Sequence, residues 1–206
     1  EGAVNPGKDI TIEGRAKADG TKPVISGGKG LFSFTKGSAT VRDLELRATA
    51  NSWYIYHSAG EDREVRLTVT GCDFTMAGGV ISVGNLVMTE GFKPNAPVIF
   101  VGNRVEAHSR VALAGPGDNS EIRDNDFNLE SEAYGDSRTS VIGLTATEET
   151  GSIVVTGNLF MNANRALGVD NSFPGIADRL VFERNAFVNC LWALEFDSSK
   201  QGVFDI

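Results

Sequence analysis

The chain has 206 residues, with 19 Lys and Arg against 27 Asp and Glu, a net charge of −8, 41% hydrophobic residues and 22% charged residues. That length supports a substantial core and excludes a peptide hormone or a disulfide mini-fold, and the composition is too apolar for intrinsic disorder. The acidic balance argues against nucleic acid as a partner, because phosphate binding needs clustered cations.

Apolar runs such as Ala96-Pro97-Val98-Ile99-Phe100-Val101 stop at Gly102, far short of the roughly 20 residues that span a bilayer, so no membrane span is expected. The opening Glu1-Gly2-Ala3 has no basic start followed by an apolar stretch, so any targeting segment has been removed or never existed. Cys72 and Cys190 lack the paired spacing of a zinc or redox site and are expected to be small hydrophobes.

In chain order, short strands are predicted at Leu31 to Phe34, Trp53 to His57, Val80 to Val83, Val111 to Leu113, Val141 to Leu144, Ala166 to Val169 and Trp192 to Phe196. They are too short and too rich in Val, Ile, Phe and Thr for helices, and 24 glycines punctuate them. Between them recurs a small or polar pair followed by an apolar residue. Its copies are Gly71-Cys72-Asp73-Phe74, Gly102-Asn103-Arg104-Val105, Asp124-Asn125-Asp126-Phe127, Gly157-Asn158-Leu159-Phe160 and Arg184-Asn185-Ala186-Phe187. With a weaker copy at Val41-Arg42-Asp43-Leu44, the key position falls at 42, 72, 103, 125, 158 and 185, at spacings of 30, 31, 22, 33 and 27. A constant motif at variable spacing predicts a fixed structural rung carrying loops of different length. Asn tolerates left-handed backbone and its amide can bond a neighbouring turn, so a ladder is predicted through Asn103, Asn125, Asn158 and Asn185.

This pattern resembles the right-handed parallel β-helix of the pectate-lyase-like superfamily, where an Asn-bearing turn separates two strands of each coil. The resemblance implies an all-β solenoid of about six to seven coils, one domain over residues 1–206. In it, Ser152 to Gly157 is the second strand of a coil, Leu159 to Met161 the third, and Ala166 to Val169 the first strand of the next. Phe74, Val105, Phe127, Phe160 and Phe187 would form one file of the core. A β-sandwich also has many short strands with Gly-rich turns, but the repeated motif favours the solenoid. Cys72 and Cys190, about four coils apart, would then lie on the order of 15 to 20 Å from each other, beyond disulfide reach.

In the resembled superfamily a carbohydrate groove runs along the first strands. Strand alternation in Trp53 to His57 sends Ile55 inward and leaves Tyr54 and Tyr56 as substrate-binding candidates, and the last first strand offers Glu195. Asp170 ends the intervening strand, and Arg165 enters it. Flanking loops add His108, Arg110, Tyr134 and Arg138 as catalytic candidates. Tyrosines cover the apolar face of a sugar ring and arginine binds carboxylate bidentately, so the expected partner is an acidic polysaccharide. Elimination from a uronic acid needs a cation, supplied by Arg110, Arg138 or Arg165, and a base, supplied by His108 or Tyr134.

Neither the Asp-paired motifs of polygalacturonases nor the Arg-and-Pro motifs of classical pectate lyases are present. Asp124, Asp126 and Asn128 alternate like a calcium loop, but Leu129 replaces the expected glycine and they read better as an exposed turn. Calcium is the only cofactor left open, and no metal site is assigned. Gly27-Gly28-Lys29-Gly30 lacks the phosphate-loop spacing and reads as a turn. Two functions remain: an extracellular or cell-surface module that binds an acidic polysaccharide and cleaves it by β-elimination, and a noncatalytic adhesion or structural module. The second rests on Gly202-Val203-Phe204-Asp205-Ile206, which reads as a strand just begun in a chain truncated from a longer one, with end-to-end self-association expected.

Overall fold

A computed structural model describes residues 8–27, 30–34, 37–48, 52–57, 65–76, 79–83, 96–107, 113–129, 140–144, 151–169 and 180–196. They form 21 strands and, among the described residues, no helix. The first-strand sheet contains β3 (Phe32–Phe34), β6 (Ser52–His57), β9 (Gly79–Val83), β12 (Leu113–Ala114), β15 (Ser140–Leu144), β18 (Arg165–Val169) and β21 (Trp192–Phe196). The second-strand sheet contains β1 (Ile10–Glu13), β4 (Ala39–Arg42), β7 (Leu67–Thr70), β10 (Val98–Val101), β13 (Ser120–Arg123), β16 (Ile153–Thr156) and β19 (Leu180–Glu183). The third-strand sheet contains β2 (Val24–Gly27), β5 (Glu45–Ala48), β8 (Asp73–Met76), β11 (Arg104–Ala107), β14 (Asp126–Asn128), β17 (Leu159–Met161) and β20 (Ala186–Val188).

The chain visits the three sheets in rotation, and each strand pairs in parallel with the strands three before and three after it. This all-parallel arrangement is compatible with a parallel β-helix and replaces the sandwich alternative, whose sheets are antiparallel.

The corner between second and third strands carries the predicted ladder. Asn103 N–H and Nδ2 both donate to Asn125 Oδ1 (2.9 and 3.1 Å), and Asn125 donates in the same way to Asn158 Oδ1 (3.1 and 2.9 Å). Asn158 does so to Asn185 Oδ1 (both 3.0 Å). Each amide also donates to a carbonyl of the preceding circuit, as Asn125 Nδ2 does to Phe100 O (2.9 Å). Two details differ from the sequence reading. Left-handed backbone falls on the residue before the ladder position, at Asp43, Gly71, Gly102, Asp124, Gly157 and Arg184, while the Asn side chains are freed to bond. The first copy of the key position is Leu44 and not Arg42, because Asp73 N–H donates to Leu44 O as Arg104 N–H does to Cys72 O (both 2.9 Å).

One continuous core lies between the sheets. The predicted file holds: Phe74, Val105, Phe127, Phe160 and Phe187 are register partners in successive strands. Where Val105 is short, Phe100 from the second-strand sheet fills the space, stacked on Phe127 and tilted against Phe74, each at 5.9 Å. Phe127, Phe160 and Phe187 then stack at 5.2 and 5.6 Å. Phe187 is 37% exposed on the last circuit. Both cysteines are free; Cys72 is buried on the ladder, and Cys190 is half-buried at the other corner.

Candidate functional site

The first-strand sheet bends along a line where two consecutive residues face inward. Val141 and Ile142, and Ala166 and Leu167, are fully buried pairs, and the pairing passes from Ser140↔Arg165 to Ile142↔Leu167. In β6 the same irregularity separates Trp53↔Val80 from Ile55↔Ile81, so Tyr54 turns inward beside Ile55. This corrects the expected outward Tyr54. Its ring meets Phe74 edge-on at 5.3 Å, and its hydroxyl is buried without a partner. Burial alone pushes the phenol well above its ordinary pKa.

After the bend the register runs along the sheet through Ser33, Tyr56, Ser82, Ala114, Gly143, Gly168 and Glu195, and of these Ser33, Tyr56, Gly143, Gly168 and Glu195 are half-buried. Tyr56 sits half-buried between the buried Ile55 and His57, and Gly168 between the buried Leu167 and Val169. The five strand steps from Tyr56 to Glu195 correspond to roughly 24 Å at 4.8 Å per strand. Arg165, before the bend, forms an ion pair from Nε to Oε2 of Glu195, after it, and both contacting atoms are shut off from solvent. A β-carbon at Gly168 would overlap Ser140 Oγ, so only glycine permits this close approach between β15 and β18.

Arg165 and Glu195 therefore meet on the first-strand sheet, and Tyr56 lies on the same register file as Glu195. His57 is not part of that file: fully buried, it faces inward, with Nε2 3.0 Å from Gly37 O. Burial holds its pKa below the ordinary imidazole value, and the bond to Gly37 opposes that only in part. His108, Arg110, Tyr134, Arg138 and Asp170 lie outside the described residues. Asp124, Asp126 and Asn128 do not converge on a common point. Asp124 is a left-handed corner residue, and Asn128 Oδ1 accepts from Asn162 Nδ2 (2.8 Å). Among the described residues no group of three His, Cys, Asp or Glu could hold a metal ion.

Sequence reasoning missed the bend and with it Ser140, Gly143 and Gly168. The available signal was the apolar doublet repeated in successive strands, Tyr54-Ile55, Val80-Ile81, Val141-Ile142, Ala166-Leu167 and Ala193-Leu194, which breaks strict alternation. It also missed a second, shorter amide ladder, in which Asn189 Nδ2 donates to Asn162 Oδ1 (2.8 Å) and Asn162 in turn to Asn128.

No protein-family model, curated protein or solved structure matches the chain. Among the described residues no helix is long and apolar enough to cross a membrane.

Proposed function

We propose that the three sheets are the faces of a right-handed parallel β-helix of seven coils, one domain similar to the pectate-lyase-like superfamily. In this reading the protein is an extracellular or cell-surface carbohydrate-active module that binds a polysaccharide along its first-strand sheet. The observation that carries the reading is the half-buried Arg165–Glu195 pair set in the bend of a track whose far end holds Tyr56. An aromatic face covers an apolar sugar ring, and a guanidinium and a carboxylate fork hydrogen bonds to hydroxyls. A track of this length suits an extended polymer better than a small molecule. Were the polymer a uronate, cleavage by β-elimination would fall to His108, Arg110, Tyr134 and Arg138; a neutral polymer would be bound without elimination.

Retention on immobilised polysaccharides tests binding. Tyr56→Ala is expected to weaken it about tenfold, the loss of one aromatic contact of about 1.4 kcal/mol. If no polysaccharide retains the wild-type protein, the reading fails. Absorbance of an unsaturated product, followed with and without calcium, tests the cleavage half.

A second reading, an adhesion or structural module that associates end to end, is favoured by one specific observation. Val181, Phe187, Val188, Leu191 and Trp192, all on the last circuit, are 37 to 54% exposed. Such apolar surface on the last described circuit favours association. Light scattering tests it: the mass should rise with concentration, and Leu191→Lys with Trp192→Lys should abolish the rise. A strict monomer at every concentration removes this reading.

A further inference from the structure

Resting on the reading of the first-strand sheet as a glycan track, we infer that its occupant is a neutral, hydroxyl-bearing polysaccharide and not a uronate polymer. The sequence expectation of an acidic partner required arginines free to receive carboxylates. In the structure Arg165, the only Lys or Arg among the described strands of this sheet, already faces Glu195. A uronate would have to displace Glu195 or lie beside it, and like charges at such range oppose binding.

Five of the seven other described arginines are paired in the same way. Arg42 pairs with Glu13, Arg47 with Glu45, Arg104 with Glu106, Arg123 with Glu121 and Arg184 with Glu183. Arg15 and Arg66 lie outside the first-strand sheet. A net charge of −8 adds long-range repulsion of any polyanion. Neutral sugar hydroxyls, each both donor and acceptor, suit the pair as it stands: the outer guanidinium nitrogens donate and the second carboxylate oxygen accepts. No net charge is needed on either side.

The experiment measures affinity of the full chain for neutral hexasaccharides (gluco-, xylo- and manno-) and for uronic hexasaccharides (galacturonic and mannuronic). It is run at low salt and at roughly 1 M salt, where the Debye length falls to about 3 Å. The expected result is neutral binding at least about tenfold tighter than uronate binding and unchanged by salt. E195Q, which leaves Arg165 without its counter-charge, should weaken neutral binding and gain salt-sensitive uronate binding; circular dichroism checks its fold. If E195Q does not fold, the wild-type comparison alone decides. A wild-type preference for uronates that fades with salt overturns the inference and leaves the glycan track standing. If neither class binds, the glycan reading itself fails, and the inference with it.

Discussion

Tyr54 and His57 carry polar atoms into the interior from the same strand, and each has a consequence for stability. The Tyr54 hydroxyl has given up water and gained no partner. Tyr54→Phe should therefore stabilise the protein by about 1 kcal/mol, read as a higher urea midpoint at unchanged slope. A loss of stability would mean that the hydroxyl has found a partner. His57 must carry its proton on Nε2, since Gly37 O can only accept, which leaves Nδ1 bare and without a partner. A second proton would put a charge in the core with nothing to receive it.

The folded pKa of His57 thus lies below the ordinary value of 6.5, which approximates the unfolded chain. The folded state binds fewer protons than the unfolded one between those two values. The His57 contribution is complete above about pH 6.5 and is progressively lost as pH falls from there toward the depressed folded pKa. Denaturant midpoints measured from neutral pH downward should show this decline, and His57→Leu should flatten it. An unchanged profile in the variant would remove His57 as its source.

Along the ladder, each amide serves two circuits at once. Asn125 accepts from two groups of Asn103 and donates to Phe100 O and Asn158 Oδ1. Asn125→Leu strands several buried groups and should cost about 3 kcal/mol. The column changes chemistry toward the N-terminus. At Cys72 the thiol donates weakly to Val41 O (3.7 Å), the bond corresponding to the one Asn103 Nδ2 makes to Val69 O (3.0 Å). Burial pushes this thiol up to about 11, so it stays protonated and serves as a weak donor. Cys72→Asn would add one amide rung and is expected to raise stability by about 1 kcal/mol in the same denaturation assay. A fall would show that the pocket at 72 is too small for an amide.

These corners were readable in the sequence because one residue type recurs with one apolar neighbour. The ladder Asn103, Asn125, Asn158 and Asn185 and the file Phe74 to Phe187 both emerged from it. The first copy was misplaced because Leu44 has no amide to mark it. The bend at Tyr54 was hidden because strict alternation is the default for a strand, and an apolar doublet registers only when aligned with its counterparts in other circuits. Arg165 and Glu195 could be singled out one by one, but their pairing depends on that bend and so could not be read from their spacing.

Across the whole molecule, size follows from strand count. Seven strands per sheet at the parallel-strand spacing give a stack on the order of 30 Å. Small-angle scattering of a monomer is expected to reveal that axial dimension; a flat two-layer particle would contradict the winding proposed for the sheets. Cohesion is distributed in the same way. Each circuit touches its two neighbours, so a defect such as Phe127→Ala, costing about 3–5 kcal/mol, should loosen adjoining circuits before distant ones. Hydrogen exchange resolved along the sequence would distinguish this graded response from uniform loss of protection.

The Asn chain is also vectorial. From Asn103 to Asn185 every Oδ1 receives from the circuit before it, and the backbone N–H groups of Asn103, Asn125 and Asn158 reach to the circuit after it. The line opens at Cys72, whose N–H donates to Asn103 Oδ1 (2.9 Å), and the amide dipoles that follow all point the same way, so each rung polarises the next.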